Sequence, residues 1–473
     1  MSSPPMNPLE LPELLRRISR YVTMNDAVAC AQVCRPWSEH FASAIWHTID
    51  FAVHNNLHQM DTKVLARYGH HIRVATNMKD RNHIMVLIVS DASKLRQLSI
   101  TMTATPEFYA NFSDLLRQTN TSLERVEIVQ PSGGTTQFLT VDSLCPAASI
   151  GATSKLSILK LQGLTMTRNS FSSLLRSCPT LTQLEIRSSA ILSWPTYDKS
   201  GAQCYRHTGI TFLTAPVEQV FKMDSQSENA PSLFVHLPNL KTWKTWASSE
   251  SITVSAQDLR KEVGRCCSML TALWTSTPAP TTISMLTETF DDLTAICILN
   301  KQLSAEMAMA ILNHRETLIQ IMTFIPYDNF YESEVIPEVE RNKLDTGGWI
   351  IQSLPRHCDH LQSLKLPVFE MNMDDMEKAK WGCHGLEGLH IRIQDLNTKE
   401  KIDRAIRLWK EGRIAIKKNQ SNGGLESAYS DLRLTNAISP SDNSIEARVA
   451  RHLLKFKKLR DVWLGWKTWK VAQ

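Results

Sequence analysis

The feature that most constrains this fold is a spacing of three aliphatic residues that recurs along the chain. In Leu95-Leu98-Ile100, for example, two residues separate the first pair and one residue separates the second pair. Clear copies begin at Leu95, Leu123, Leu156, Leu181, Leu293, Leu361, Leu386 and Leu459, and weaker copies begin at Leu240, Leu270 and Leu318. Seven of the ten steps between copies are 23 to 33 residues long, and the step of 59 predicts one degenerate copy near residues 210–213. A period of this length is typical of a stacked repeat.

The cysteines support the same repeat. Cys178, Cys267 and Cys358 each lie three residues before the first leucine of a copy, and Asn120 lies in the same place before Leu123. A small, weakly polar side chain at one repeat position indicates a tight turn that encloses it. We therefore predict that these cysteines are structural rather than reactive or metal-binding. Ten scattered cysteines without a CxxC pair also argue against a disulfide framework.

The segment before each copy has the apolar spacing of a helix, as at Phe171, Leu174 and Leu175. One repeat is thus predicted to be a helix, a turn and a short strand whose aliphatic side chains point inward. A unit of this size cannot cover its own apolar faces, so the units are expected to stack with parallel strands. The pattern resembles the cysteine-containing leucine-rich repeats over roughly residues 70–473. That resemblance implies an α/β fold, a curved solenoid with one parallel strand and one helix per repeat. The alternative is a chance alternation in an ordinary α/β protein.

The sequence predicts four regions. Residues 1–8 are expected to be disordered, residues 9–50 to form a separate domain, and residues 51–94 to contain a linker and the first solenoid elements. Residues 95–473 are predicted to be the repeat array, with inserted loops near 188–236, 328–348 and 394–444. Long loops on repeat proteins often serve binding, although many are only tolerated insertions.

Residues 9–50 do not follow the repeat and have the spacing of three short helices. Pro12 suits the first turn of a helix, Asn25 or Asp26 can cap a second one, and Pro36 can open a third. One apolar stripe on the first helix contains Leu14, Leu15, Ile18, Tyr21 and Val22. A module of about forty residues is too small to cover this much apolar surface by itself. We therefore expect another protein to complete it.

The same module resembles an F-box. The family pattern is a Leu-Pro start, an aliphatic first helix, an Asp-led second helix, then Val-Cys-Arg and a Trp. This chain provides Leu11-Pro12, Leu14-Leu15, Ile18, Tyr21-Val22, Asp26, Val33-Cys34-Arg35 and Trp37. The resemblance implies binding to a Skp-type adaptor and, through it, to cullin and RING subunits, while the repeats bind an unknown protein substrate. The adaptor-binding residues carried over are Leu11, Pro12, Leu14, Leu15, Ile18, Val33 and Trp37, some of which must instead pack inside the module.

Side chains between the inward-facing aliphatics of each copy are predicted to lie on the open face of the strands. In the early copies these positions are polar, but in the middle copies they are large and apolar. The candidate substrate-binding residues are Trp246, Trp274, Leu299, Met322 and Phe324. Such a patch is typical of interaction sites. A slip of one residue in the weak copies would instead place all of them in the core.

The motifs of the sequence favour a non-catalytic protein. The sequence contains no nucleotide-binding, metalloprotease or serine-hydrolase signature, so no catalytic residue, metal or cofactor is predicted. No apolar run is long enough to cross a membrane, and the start of the chain lacks the apolar region of a secretory signal. We therefore expect no membrane partner and a cytoplasmic or nuclear location.

The charge is unevenly distributed, because residues 399–473 contain 17 Lys and Arg against 8 Asp and Glu. This excess could attract an anionic partner, but a solvated basic surface is the simpler interpretation.

The sequence leaves three functions to compare. The first is an SCF-type ubiquitin-ligase substrate receptor, and the second is a repeat scaffold without a ligase link, in which residues 9–50 only cap the array. The third is a nucleic-acid-associated protein, which requires clustered cations with interleaved aromatic residues, and the sequence has too few of these to favour it.

Overall fold

The computed structural model describes residues 11–102, 106–130, 155–163, 165–166, 168–187, 190–191, 205–220, 233–246, 256–276, 280–298, 304–323, 348–421, 438–439 and 441–465. Contacts between residues divide the chain into two compact units, Met1–Leu240 and Lys241–Gln473. The predicted disordered residues 1–8, most of the predicted loop at 328–348 and large parts of the other two predicted loops lie outside the described residues.

The first unit begins with three helices, α1 (Pro12–Ser19), α2 (Met24–Ala31) and α3 (Arg35–Ile45). Strands and helices then alternate: β1 (Thr48–Asp50), α4 (Thr62–Tyr68), β2 (Val74–Met78), α5 (Arg81–Val89), β3 (Gln97–Thr101), α6 (Pro106–Thr119), β4 (Arg125–Val129), β5 (Ile158–Gln162), β6 (Thr165–Met166), α7 (Arg168–Ser177), β7 (Gln183–Arg187), β8 (Ala190–Ile191), β9 (Phe212–Thr214) and α8 (Val217–Val220). Strands β1, β2, β3, β4, β5, β7 and β9 pair side by side in that order, and each pair is parallel. Strands β6 and β8 form a separate parallel pair.

The second unit has the same alternation. Its elements are β10 (Thr242–Thr245), α9 (Ala256–Cys266), β11 (Ala272–Thr275), α10 (Pro280–Glu288), β12 (Ala295–Ile298), α11 (Ala305–Leu312), β13 (Gln320–Thr323), α12 (Gly348–His357), β14 (Ser363–Met371), α13 (Met373–Lys378), β15 (Gly388–Ile393), α14 (Lys399–Ser421), α15 (Ile445–Leu454) and β16 (Asp461–Leu464). Strands β10 to β16 pair in chain order, again in parallel. A parallel neighbour requires a crossover connection, and helices lie in the described connections of both units. The predicted α/β architecture with parallel strands is therefore confirmed.

Each predicted copy of the aliphatic spacing contains a strand. In the clear copies all three aliphatics are buried, as for Leu181, Leu184 and Ile186 on β7. The degenerate copy near residue 210 is β9, with Ile210 and Leu213 buried. In the three weak copies a buried threonine occupies the third position: Thr245, Thr275 and Thr323. Their hydroxyls lack hydrogen-bond partners among the described residues. These copies are weak in sequence because a threonine replaces the third aliphatic residue.

The turns before several strands contain the same backbone hydrogen bond. The Leu181 backbone N–H donates to the carbonyl of Cys178 at 3.1 Å, and Leu361 donates in the same way to Cys358 at 3.1 Å. Cys267 has the same arrangement, and all three predicted cysteines are buried. Cys383 is a fourth member that the sequence analysis did not identify, although it also precedes a copy by three residues.

Hydroxyl side chains connect successive repeats of each unit. In the first unit, the Ser122 hydroxyl donates to the Leu95 carbonyl at 2.7 Å, and the Thr180 hydroxyl donates to the Leu156 carbonyl at 2.9 Å. In the second unit, the Thr317 hydroxyl donates to the Leu293 carbonyl at 2.8 Å. Each donor immediately precedes the first leucine of its own copy, and each acceptor is the first leucine of the preceding copy. These bonds satisfy backbone carbonyls that the turns would otherwise leave unpaired.

Native thiol labelling is expected to be slow at Cys178, Cys267, Cys358 and Cys383. The thiolate is the reactive form, and burial raises the pKa of Cys358 and of Cys383 to about 12. Cys34 is exposed and provides a fast internal control in the same sample. Mass spectrometry of peptides after timed alkylation measures all five sites. If any of the four were labelled as fast as Cys34, that residue would not be a structural turn cysteine.

The boundaries of the first repeats differ from the prediction. Residues 51–94 contain no extended linker, since only two residues separate the end of α3 from β1, and the strand partner of β1 is β2. Strand β2 escaped detection because its inward side chains are Ala75 and Met78, with a register shift between them. Asn77 at this irregularity has φ 58°, a left-handed conformation that asparagine tolerates better than most residues. Within the predicted loop at 394–444, residues Lys399–Ser421 form the helix α14.

Acidification is expected to destabilise the second unit through His452. Burial lowers the pKa of His452 to about 3. The ring packs edge-on against Trp381 with centroids 5.2 Å apart, and neither ring nitrogen has a hydrogen-bond partner among the described residues. Below pH about 6.5 the unfolded chain gains a proton that the folded chain excludes, so the free energy of unfolding should fall by about 2 kcal/mol by pH 5.

Denaturant unfolding at neutral pH and at pH 5 measures this loss. His452→Leu removes the titrating ring without removing a hydrogen bond, so its loss on acidification should be smaller by about the same 2 kcal/mol. Equal pH dependence in wild type and variant would show that His452 is not buried in its neutral form.

Candidate functional site

The N-terminal helices form a small module around three buried residues, Leu15, Ala27 and Phe41. Each residue comes from a different helix, so the cluster fixes α1, α2 and α3 together. Six partly buried residues pack around this cluster: Val22, Cys30, Ala31, Trp37, Ala44 and Ile45.

Helix α2 begins with a capping box. The Thr23 hydroxyl accepts from the Asp26 backbone N–H at 3.3 Å, and the Asp26 carboxylate accepts from the Thr23 backbone N–H. The prediction that Asn25 or Asp26 is the N-cap was therefore wrong, because Asp26 is the third helical residue of a box begun by Thr23.

The outward surface of this module is unusually apolar. Leu14 is 38% exposed and Ile18 is 37% exposed, although both belong to the first helix of a module with little core. Tyr21, just after α1, is 81% exposed, and Val33 at the α2–α3 junction is 64% exposed. Met24 and Val28 on α2 add further exposed apolar surface that the sequence analysis did not select. An exposed apolar surface of this kind is typical of an interaction site.

The structure divides the predicted adaptor-binding residues into three groups. Leu14, Ile18 and Val33 are exposed, and Pro12 is exposed at the first turn of α1. Leu11, the N-cap of α1, and Trp37 are half-buried, and the Trp37 ring lies 5.7 Å from the Phe41 ring. Leu15 is 1% exposed and belongs to the core, so its assignment to the adaptor-facing surface is corrected. Neighbouring helical residues point about 100° apart, so Leu15 faces the core while Leu14 is exposed.

The module is joined directly to the parallel sheet of the first unit. The carbonyl of His47, between α3 and β1, accepts from the backbone N–H groups of Arg73 and Val74 at 3.0 and 3.1 Å. The Trp46 ring stacks on the Tyr68 ring of α4, with centroids 5.5 Å apart and planes 11° apart. These contacts leave the outward apolar stripe on α1 uncovered.

A second candidate surface lies on the open face of the second unit. Strand register places one residue of each strand β10 to β16 in a single line across the sheet. We call this line the cross-strand row: Lys244, Trp274, Cys297, Met322, Lys365, His390 and Trp463. The neighbouring inward residues, such as Leu273 and Ile321, are buried. The row therefore lies on the side of the sheet opposite to the core.

The predicted substrate-binding residues can now be placed. Trp274 and Met322 belong to the cross-strand row, and Trp246 follows β10 on the same side as Lys244. All three are half-buried, whereas a register slip would have enclosed them. Leu299 and Phe324 lie outside the described residues. Lys365 and His390 also occupy open positions predicted from the spacing, and strand pairing places Trp463 beside His390.

The charged end of the cross-strand row is organised by Asp461. His390 Nε2 lies 2.6 Å from Asp461 Oδ2, and Lys365 Nζ lies 3.6 Å from the same oxygen. Burial lowers the pKa of His390, and the nearby Asp461 carboxylate opposes that shift. The His390 ring also lies 5.9 Å from the Trp463 ring. His390 is therefore neutral at neutral pH, and the Asp461 carboxylate interacts with both His390 and Lys365.

Many cations of the basic C-terminal region make contacts within the second unit. Arg448 binds the carboxylates of Asp374 and Glu377, and Arg413 donates to the Leu459 carbonyl. Arg451 donates to backbone carbonyls at 2.9 and 3.0 Å. The Trp409 side chain is buried rather than available for stacking. These contacts give the basic excess a structural role and do not favour a nucleic-acid site.

The described residues contain no group of three or more His, Cys, Asp or Glu side chains placed to hold a metal ion. None of the described helices combines the length and the apolar character needed to cross a membrane.

Comparison with known families identifies the N-terminal module. Residues 12–52 match the F-box-like family model. The match covers α1, α2, α3 and β1, and it confirms the resemblance for this part of the chain. Comparison with curated proteins gave no significant match. The chain thus has an F-box-like domain followed by parallel sheets with helices.

Proposed function

We propose that this protein is the non-catalytic substrate-recognition subunit of an SCF-type E3 ubiquitin ligase. Its F-box-like domain would bind a Skp-type adaptor and, through that adaptor, the cullin and RING subunits. The observation that carries the proposal is the exposed apolar surface of Leu14, Ile18 and Val33 on a module that matches the F-box-like family. A cytoplasmic or nuclear location goes with this role.

The repeats that follow are proposed to be leucine-rich repeats that hold the target protein. Support comes from the parallel strands at a near-regular spacing, the buried turn cysteines and the hydroxyl bonds between repeats. The target would contact the open face of the second unit, where Trp246, Trp274 and Met322 are half-buried. Ubiquitin transfer would take place on other subunits of the ligase.

The contacts of the module can be compared with those expected for the alternative function, a repeat scaffold without a ligase link. In that alternative the module only caps the first strands, and its apolar surface should be folded onto them. Trp46 and His47 do cover β2 and α4, as a cap would. Leu14, Ile18 and Val33 nevertheless remain exposed, which a cap alone does not require. The ligase proposal explains both observations, because a receptor must join its adaptor-binding module to its target-binding part.

Reconstitution with purified cullin and RING subunits tests the proposal. The chain is expected to elute with the cullin from a size-exclusion column only when a Skp-type adaptor is present. Elution with the cullin without the adaptor would point to a different attachment. If the chain remained separate in both mixtures, the ligase role would be contradicted and the scaffold alternative would be favoured.

A further inference from the structure

Among the described residues, the two lysines of the cross-strand row have one ion pair between them, from Lys365 to Asp461. Lys244 on β10 is half-buried and takes part in no ion pair among the described residues. Lys365 on β14 is also half-buried, and its closest acidic atom is the Asp461 oxygen at 3.6 Å that already accepts from His390. Among the described residues, Glu370 is another carboxylate on this face, and it lies 3.4 Å from Arg392. Half-buried ammonium groups lose hydration, so added acceptors stabilise them.

Between the two lysines the row is apolar. Cys297 is only 2% exposed although it lies on the open side of the sheet. Its neighbours in register are Trp274 on β11 and Met322 on β13, which shield it from solvent. Burial raises the pKa of Cys297 to about 11, so this thiol remains neutral. Trp and Met are also the side chains that interface centres favour.

The first unit has a different character at the corresponding positions. Lys160 on β5 lies 2.9 Å from one oxygen of Glu185 on β7, and Arg187 contacts the other oxygen of that carboxylate. Glu185 and Lys160 are direct partners in the strand register. These three charges are therefore satisfied within the unit. In the second unit, by contrast, Lys244 has no ion pair among the described residues and lies beside an apolar centre.

We propose that the cross-strand row binds an extended acidic segment of the target protein. A large apolar side chain of that segment packs on Trp274 and Met322, and a carboxylate binds Lys365. Three strand spacings separate Trp274 from Lys365, about 14 Å, which an extended chain spans in about four residues. That the partner is a ligase target rests on the proposed function. The binding surface itself consists only of residues of the second unit.

Selection from a phage-displayed library of random dodecapeptides on the immobilised full-length chain tests the proposal. Enriched peptides are expected to contain an aromatic or large aliphatic residue followed by Asp or Glu at a spacing of about four residues. An enriched peptide is then synthesised with a fluorescent label, together with a counterpart in which Asn and Gln replace Asp and Glu. Fluorescence anisotropy gives the Kd of both peptides.

The wild-type chain should bind the acidic peptide at least about tenfold more tightly than the amide counterpart. The double variant Lys244→Gln with Lys365→Gln should lose this preference while it keeps the weaker binding of the amide peptide. Trp274→Ala should weaken both peptides by about thirtyfold, as expected for an apolar anchor. Lys380→Gln removes an exposed lysine that is not on the row and should behave as the wild type. Thermal melts confirm folding, and the lysine variants keep the test valid if Trp274→Ala does not fold.

Three results would overturn the inference. One is a selection without acidic enrichment, and another is an acidic preference that survives in the double-lysine variant. The third is competition by a single-stranded oligothymidine at lower concentrations than the acidic peptide, which would assign the row to nucleic acid. Adaptor binding is measured on the same preparations. Acidic preference without adaptor binding would support the docking surface and contradict the ligase role, whereas adaptor binding without acidic preference would do the reverse.

Discussion

Replacement of Leu14 and Ile18 by alanine is expected to weaken binding of a Skp-type adaptor by at least about thirtyfold. Each side chain is more than one third exposed on the same face of α1 and can be buried by a partner. Burial of one large aliphatic side chain contributes roughly 1.5–3 kcal/mol, and loss of an interface anchor often costs about 2 kcal/mol or more. An affinity change of this size corresponds to about 2 kcal/mol. Isothermal titration of purified adaptor into wild type and variant measures the change.

Arg16→Ala is the matched control for this experiment. Arg16 is exposed on the same helix, but it points away from the face shared by Leu14 and Ile18. Its replacement should leave adaptor affinity unchanged, and thermal melts of all three proteins should coincide. Unchanged adaptor affinity in the Leu14 and Ile18 variant would show that the adaptor uses another face of the module.

Replacement of the adjacent Leu15 is expected to act through folding. Its side chain is buried against Ala27 and Phe41. Truncation of a buried leucine typically costs about 2–5 kcal/mol, which a module of about forty residues cannot absorb without unfolding. Leu15→Ala should therefore abolish protection from hydrogen exchange in residues 12–45. The second unit should keep its protection, because repeat units contact mainly their neighbours.

Leu14→Ala provides the comparison, since it should leave protection intact and weaken only the adaptor affinity. Hydrogen exchange followed by mass spectrometry distinguishes the two variants. Normal protection in Leu15→Ala, combined with weakened adaptor binding, would place Leu15 at the interface. That result would restore the assignment made from sequence, and it would contradict the packing seen in the structure.

The repeats were predictable because their aliphatic residues are both periodic and buried. The aliphatic spacing predicted strands β3 to β5, β7 and β10 to β16, because the alternate residues of each strand are also the buried ones. It failed for β2, where Ala75 is small and the irregularity at Asn77 shifts Met78 by one position. A local backbone conformation of this kind leaves little trace in a single sequence.

The candidate sites were less predictable than the fold. Leu14 and Leu15 are equally apolar neighbours, and only three-dimensional packing decides which one is enclosed. For Trp274 and Met322 the sequence left two strand registers open, and the structure has the one that places both on the open side of the sheet. His390 and Asp461, by contrast, are 71 residues apart in sequence, and strand pairing brings them into contact. Polar residues on open strand positions follow no periodic rule that would reveal such pairs.

The central claim is that the F-box-like domain is a working adaptor-binding module, and binary titration tests it most directly. Purified full-length chain and purified Skp-type adaptor are mixed, and complex formation is measured by size-exclusion chromatography with light scattering. The account predicts a stable complex with one adaptor per chain, which the Leu14→Ala with Ile18→Ala variant fails to form at the same concentrations. Absence of any complex with the wild-type chain would contradict the account.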